Sequence, residues 1–206
     1  MQIITTALIA DGTSDRTLIP LLKLLLREHL KLPFEEPQLI QGDSNDLQSR
    51  IHTALTKFSL DILFVHRDAE NESWEKREEE IRSAIPLNLT SKVVSVIPIK
   101  MTEAWLLTDP SAIRSAVGNP NSIEPLNLPK PSNIEASAAK KVLFDALTLA
   151  KEFGAQRRRK FRPEQYRHRV AELTNDLKLI RQIPSFKRME DQLVPVLTRL
   201  NAAEKK

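Results

Sequence analysis

Cysteine is absent from the 206-residue chain, and with it go disulfides, zinc–thiolate centres, iron–sulfur clusters and thiol nucleophiles. Glycine is nearly as scarce. Four glycines leave little room for a loop that cradles phosphates with backbone N–H groups, and no Walker A, G-x-G-x-x-G, G-x-S-x-G or H-E-x-x-H pattern occurs. Long hydrophobic runs are missing as well: the most apolar stretch, Leu18 to Leu26, is interrupted by Lys23 and falls far short of the roughly 20 residues that span a bilayer. The opening segment has no basic start and carries Asp11 where the apolar part of a signal peptide would continue, so the expectation is a cytoplasmic protein with no membrane partner.

What is present is 41% hydrophobic and 28% charged residues, arranged in periodic blocks that suit one α/β domain of ordinary size with a small helical appendage. The net charge of +4 hides an asymmetry: residues 1–130 hold 14 Lys+Arg against 18 Asp+Glu, and residues 131–206 hold 17 against 9. An acidic first part suits cations, and a basic second part suits polyanions, of which nucleic acid is the commonest.

Gln2 to Ala10 is an apolar, β-branched run closed by Asp11-Gly12, and a helix over about Asp15 to Leu30 follows, with Leu18, Leu22, Leu25 and Leu26 on one face. Gln38 to Gln41 is a short strand candidate. Ser44-Asn45-Asp46 opens a second helix, and Leu60 to Val65 reads as a buried strand running straight into His66-Arg67-Asp68-Ala69-Glu70. A charged helix from about Glu72 to Ile85, a strand over Val93 to Ile99 and a helix starting at Met101-Thr102-Glu103-Ala104-Trp105 complete the rhythm. Such alternation predicts a Rossmann-like, mostly parallel sheet of about four strands with helices on both faces, over residues 1–117. Residues 118–134, rich in Pro and Asn, read as a linker or extended loop. Residues 135–206 read as a basic helical extension packed on the same domain, with helices over Glu135 to Phe153, Pro163 to Ile180, and Ser185 to Leu200 interrupted by Pro195.

Ligands of open parallel sheets bind beyond the carboxyl ends of the strands, which is where Asp11, Asp68, Glu70 and Glu103 fall. Carboxylates that close together repel, and a hard cation with oxygen ligands relieves them, so Mg²⁺ or Mn²⁺ is the expected cofactor. Each acid also has a bland role open to it: Asp11 as a turn residue, Asp15 as a helix N-terminal charge, Asp68 as a cap, Glu70 as a solvated loop acid. His66 on a buried strand reads first as a satisfied core histidine, Arg67 as the partner of a nearby acid or phosphate, and Glu78-Glu79-Glu80 as a solvated helix face.

Asp11-Gly12-Thr13-Ser14-Asp15 after the first strand and Asp68-Ala69-Glu70 after a later one resemble the TOPRIM domain of topoisomerases, primases, overcoming-lysogenisation-defect nucleases and small ribosomal RNA maturases. The Glu103 to Leu107 stretch, Glu-Ala-Trp-Leu-Leu, is similar to one carried by small uncharacterised TOPRIM-like proteins. The resemblance implies that Asp11 stands for the family's acid–base Glu and that Asp68 and Glu70 hold the metal, with Asp11 as the third acid; Asp15, Glu103 and Arg67 read as residues that support them. It departs from the pattern twice: Asp11 is one methylene shorter than Glu, and Glu70 one longer than Asp.

The basic stretch Lys151 to Arg169 supplies Arg157, Arg158, Arg159, Lys160, Arg162 and Arg167 with Phe161 and Tyr166 interleaved, a candidate grip on a phosphate backbone with rings that can stack on bases. It also reads as a solvated helix connection. Two functions follow: a metal-dependent nuclease or nuclease subunit of the TOPRIM type, acting on phosphodiesters, or a catalytically degenerate TOPRIM-like module working with an ATPase partner in defence against mobile DNA. A phosphoacceptor receiver lacks its lysine at the end of a further strand.

Overall fold

Alternate residues of β1 (Thr6–Ile9) point to opposite faces of a sheet, and all four are buried, which demands cover on both faces. In the computed structural model, which describes residues 3–41, 46–152 and 159–203, β1 is flanked by β2 (Gln38–Ile40) and β3 (Ile62–His66), with β4 (Val93–Val96) beyond β3. Every pairing is parallel, in the order β2-β1-β3-β4. Parallel neighbours require crossovers, and these are α1 (Ile19–His29), α2 (Leu47–Lys57) and α3 (Trp74–Ser83). The fold is α/β, as the alternation predicts.

The two faces are covered unequally. Ala7 and Ile9 of β1 and Leu63 and Val65 of β3 pack with Leu47, Ile51 and Ala54 of α2 and Ile81 of α3. Leu8, Phe64, Val94 and Val96 pack with α1 and, in the same continuous core, with Trp105, Ile113, Leu143, Leu147, Val170, Phe186, Leu193 and Leu197. These last residues come from the 3₁₀ segment Thr102–Thr108 and from α4 (Pro110–Ala116), α5 (Ala139–Lys151), α6 (Arg167–Leu173) and α7 (Pro184–Ala203). The C-terminal half is therefore a second wall of the same core. Residues 118–134 hold turns and the 3₁₀ segment Pro131–Asn133 but are not a free linker, since Leu126 and Ile134 are buried and the Asn119 side chain donates to the Ala150 carbonyl at 2.9 Å.

Several elements differ from the sequence expectation, among them the helix expected from Met101, which is a 3₁₀ segment over Thr102–Thr108 followed by α4. Residues Thr13–Leu18 form a 3₁₀ turn rather than the start of α1, because Pro20 cannot donate to the carbonyl of Arg16 and the α-ladder begins beside it. The stretch expected as one helix from Pro163 to Ile180 is a 3₁₀ turn followed by the short α6, which ends at Leu173. Helix α7 runs through Pro195 without interruption. Pro195 and Asp191 are exposed, so the carbonyl that loses its bond meets solvent, while burial of Leu193, Val196 and Leu197 offsets the roughly 3 kcal/mol cost of an interior proline. Gln192 of α7 accepts a hydrogen bond from the Ser95 backbone at 3.1 Å and so covers part of the β4 edge. Among the described residues no helix is long and apolar enough to cross a membrane.

A core shared by both halves is expected to unfold as one unit. Phe186, fully buried and edge-on to Trp105 at 5.1 Å, joins α7 to the rest, and Phe186→Ala is expected to lower stability by about 3–5 kcal/mol. Urea denaturation followed by both circular dichroism and tryptophan fluorescence should give one coincident transition in the parent and the variant. Two separated transitions would show that the halves do not share a core.

Candidate functional site

β1 and β3 are neighbours whose onward connections run to opposite sides of the sheet, the arrangement that opens a crevice beyond their carboxyl ends. A cavity of about 210 Å³ lies there, lined among others by Asp15, Asp68, Glu70, Lys100, Glu103, Lys140 and Arg167. The chain leaving β3 stays attached to the chain leaving β4, with Arg67 N–H donating to the Val96 carbonyl at 3.2 Å and Ala69 N–H to the Pro98 carbonyl at 2.9 Å. Asp68 and Glu70 are thereby held alongside Lys100 to Glu103. Glu70 and Lys100 have φ of 55° and 63°, left-handed conformations that cost non-glycine residues of order 1 kcal/mol and concentrate at functional sites.

His66 is the pivot. Its ring is 2% exposed, with Nε2 3.2 Å from Asp68 Oδ1 and Nδ1 3.5 Å from Asp15 Oδ2. The second distance is an ion pair too long for a good hydrogen bond, and Nδ1 has no other partner. Complete burial by itself lowers an imidazole, but the two carboxylates outweigh it and push His66 up to about 9. His66 is thus a buried cation at neutral pH, not a passive core residue. Asp15 also accepts from the Gly12 N–H at 3.0 Å. Burial pushes Asp15 up, but His66, Gly12 and Ser14 together hold it below the usual carboxylate range. Asp68 goes the other way: burial, together with the charges of Asp15 and Glu103, raises it in spite of His66.

Of the acids expected at the metal, the cavity gathers Asp68 and Glu70, and it adds Asp15 and Glu103, which the sequence reading held as supporting residues. Asp11 is not among them. Its carboxylate, half exposed, is engaged through Oδ1 by Arg50 at 3.0 Å and Arg67 at 3.5 Å, on the α2 and α3 side of the strand ends. The convergence of Asp11 with Asp68 and Glu70 is therefore corrected: a buried arginine from α2 claims Asp11 before a metal can, and Asp15, four residues on, takes the inward position.

Glu103, nearly buried, pairs with Arg167 at 2.7 Å, so α6 is tied to the site. The Lys140 ammonium has no partner among the described residues, and Lys100 reaches only the Ala136 carbonyl at 3.4 Å. Arg159, Lys160 and Arg162 are exposed, whereas Arg157 and Arg158 lie outside the described residues. Phe161 and Tyr166 are half-buried, pack against each other at 5.1 Å and against the main core, so their rings are committed to the fold rather than left open for bases. Lys140 was not legible as a site residue, because only tertiary packing brings the start of α5 to the strand ends.

Among the described residues, the one group of three that brings a ligand atom each within 4.8 Å of the others is Glu28, His29 and Glu190. Arg181 donates to both oxygens of Glu190, at 2.7–3.1 Å, and to Glu28, while His29 Nε2 lies 3.0 Å from Glu190. That cluster is an ion-pair network in which Arg181 offsets one of the two carboxylate charges. Comparison with protein-family models, curated proteins and solved structures finds no match for this chain.

A histidine raised from 6.5 to about 9 by folding contributes stability that is whole below pH 6.5 and is lost as pH rises to about 9, on the order of 3 kcal/mol in total. Urea midpoints measured with a chelator present are expected to fall across that window. In His66→Gln the curve should be lower and flat there. An equal slope in both proteins would remove His66 as its source.

Proposed function

We propose that the strand-end cavity binds a divalent cation, Mg²⁺ or Mn²⁺, together with a phosphate group of nucleic acid, and that the protein acts on phosphodiester bonds in the manner of the TOPRIM domains its acidic motifs resemble. One observation carries the reading: four carboxylates, Asp15, Asp68, Glu70 and Glu103, face three cations, Lys100, Lys140 and Arg167, across a single small cavity with the His66 imidazolium beneath. These charges nearly balance. A divalent ion arriving with a phosphodiester monoanion shifts that balance by one charge, whereas the ion alone shifts it by two.

The donor set fits the ion. All its ligands are oxygen, and the raised Asp68 is a carboxylate whose charge is incompletely relieved by its neighbours. No three of these acids bring an oxygen each within 4.8 Å, which suits Mg²⁺, an ion that keeps several waters and takes one or two carboxylates together with substrate phosphate. When bound, such an ion supplies polarisation of the phosphoryl oxygens and of an attacking water. The chain's own residues then divide the remaining work. His66 fixes the orientation of Asp15 and Asp68. Lys140 and Lys100 offer their ammonium groups to phosphate oxygens, and Arg167, held by Glu103, adds a planar fork at the same rim. The exposed Arg159, Lys160 and Arg162 continue the positive charge away from the cavity, which at about 210 Å³ has room for a phosphate and its ion rather than for a base.

A second reading, the TOPRIM-like module without catalysis that works with an ATPase, is favoured by the engagement of Asp11 with Arg50 and Arg67, which withdraws the acid that stands for the family's Glu. Nicking of supercoiled plasmid with Mg²⁺ or Mn²⁺ separates the two. Activity in the parent, reduced by roughly 100-fold or more in Asp68→Ala and in Asp15→Ala, is the expected result, with Asp11→Ala retaining most of it. Binding of DNA with no nicking under either ion supports the module, and equal nicking by parent and Asp68→Ala overturns the metal site.

A further inference from the structure

Behind the cavity, on the α2 and α3 side of the same strand ends, three arginines and two acids form a separate cluster. Asp11 follows β1, Arg67 follows β3, Arg50 comes from α2, and Arg77 and Glu80 come from α3. Arg50 and Arg67 both reach Asp11 Oδ1, at 3.0 and 3.5 Å, and Asp11 Oδ2 has no partner among the described residues. Glu80, expected as part of a solvated face, is instead shared by Arg67 at 3.1 Å and Arg77 at 2.8 Å. Glu72 and Glu70 also lie within electrostatic reach of Arg77.

Arg50 distinguishes this cluster from a surface ion pair. Its side chain is 8% exposed, one of its NH groups is spent on the Ala10 carbonyl, and its Nε is buried without an acceptor. The Nε of Arg77 is likewise buried and unsatisfied. Leaving a guanidinium N–H unmet costs free energy, and a fold retains that cost where a ligand supplies the missing acceptor. Asp11 does not supply it, since its carboxylate meets Arg50 only through Nη1. A tetrahedral oxyanion offers more acceptors than a carboxylate and matches the guanidinium fork.

We propose that Arg50 and Arg67 form a phosphate-binding subsite, which the half-exposed Asp11 carboxylate fills in the free protein and vacates when a phosphate group arrives. Asp11 is a placeholder for the ligand. The subsite rests on the nucleic-acid reading above in one respect: a strand whose reacting phosphate lies in the cavity carries a neighbouring phosphate along the same rim. The two sites share backbone, since His66 and Arg67 are consecutive and Gly12, next to Asp11, donates to Asp15.

The test is binding of two probes with a chelator present and ionic strength fixed: inorganic phosphate by calorimetry, and a labelled single-stranded oligonucleotide by fluorescence anisotropy. Asp11→Asn removes the placeholder while keeping its shape, and is expected to tighten phosphate binding about tenfold, the scale of one charge-assisted hydrogen bond. Asp191→Asn, the same charge change at an exposed site on α7, is the control and should change affinity little. Arg67→Gln, at the rim and not in the core, should weaken binding about tenfold and abolish the gain when combined with Asp11→Asn. Unchanged phosphate affinity in Asp11→Asn, a gain no larger than that of Asp191→Asn, or no phosphate binding by any variant overturns the subsite. A phosphate gain with no oligonucleotide binding sustains the subsite and overturns the nucleic-acid reading. Oligonucleotide binding indifferent to Asp11 and Arg67 does the reverse.

Discussion

The candidate site depends on one buried charge. His66 ends β3 with its ring almost wholly out of solvent, and the two carboxylates that keep it protonated come from different crossovers: Asp15 from the turn after β1 and Asp68 from the loop after β3. An imidazolium at that depth is tolerable only while both acids face it, so the histidine fixes where the first two acids of the cavity point. Glu70 and Lys100 then enter through left-handed backbone, and Glu103 is drawn in by Arg167. The site is a consequence of neutralising a cation inside the edge of a parallel sheet.

The same strand ends separate two chemistries. On the face covered by α1 and the C-terminal helices, four acids meet three cations and the His66 imidazolium at a cavity, and burial with the charges of Asp15 and Glu103 leaves Asp68 raised. On the face covered by α2 and α3, Arg50, Arg67 and Arg77 gather around Asp11 and Glu80. The proposed cation pocket and the proposed phosphate subsite together would suit a ligand that is itself a phosphate chain neutralised by a divalent ion. The net positive charge of the C-terminal part extends this beyond the rim through Arg159, Lys160 and Arg162.

Much of the fold was legible because hydrophobic runs ended in acids. Val65 and His66 lead directly to Asp68, so both the strand and the exit of its carboxylate into the crevice follow from local order. Asp11 was misjudged for a reason the local sequence does not contain: Arg50, 39 positions away, is buried against the end of β1 and claims the first acid it meets, leaving Asp15 to face the cavity. The roles of Lys140 and Arg167 were hidden similarly, since α5 and α6 reach the strand ends only through packing on α1 and the Thr102–Thr108 turn. His66 carried a signal that could have been used: a histidine two residues before an aspartate at a strand end has its likeliest counter-ion built in. The continuity of α7 through Pro195 was out of reach, because it depends on which side of the helix faces water.

The most direct test of this account is the ionisation of a single ring. Titration of His66 by NMR in the metal-free protein, assigned against His66→Gln, should give a pKa of about 9, with the ring charged throughout the neutral range. An imidazole that is neutral at pH 7 would mean that Asp15 and Asp68 are not gathered around a buried cation, and the site built on that charge would not stand.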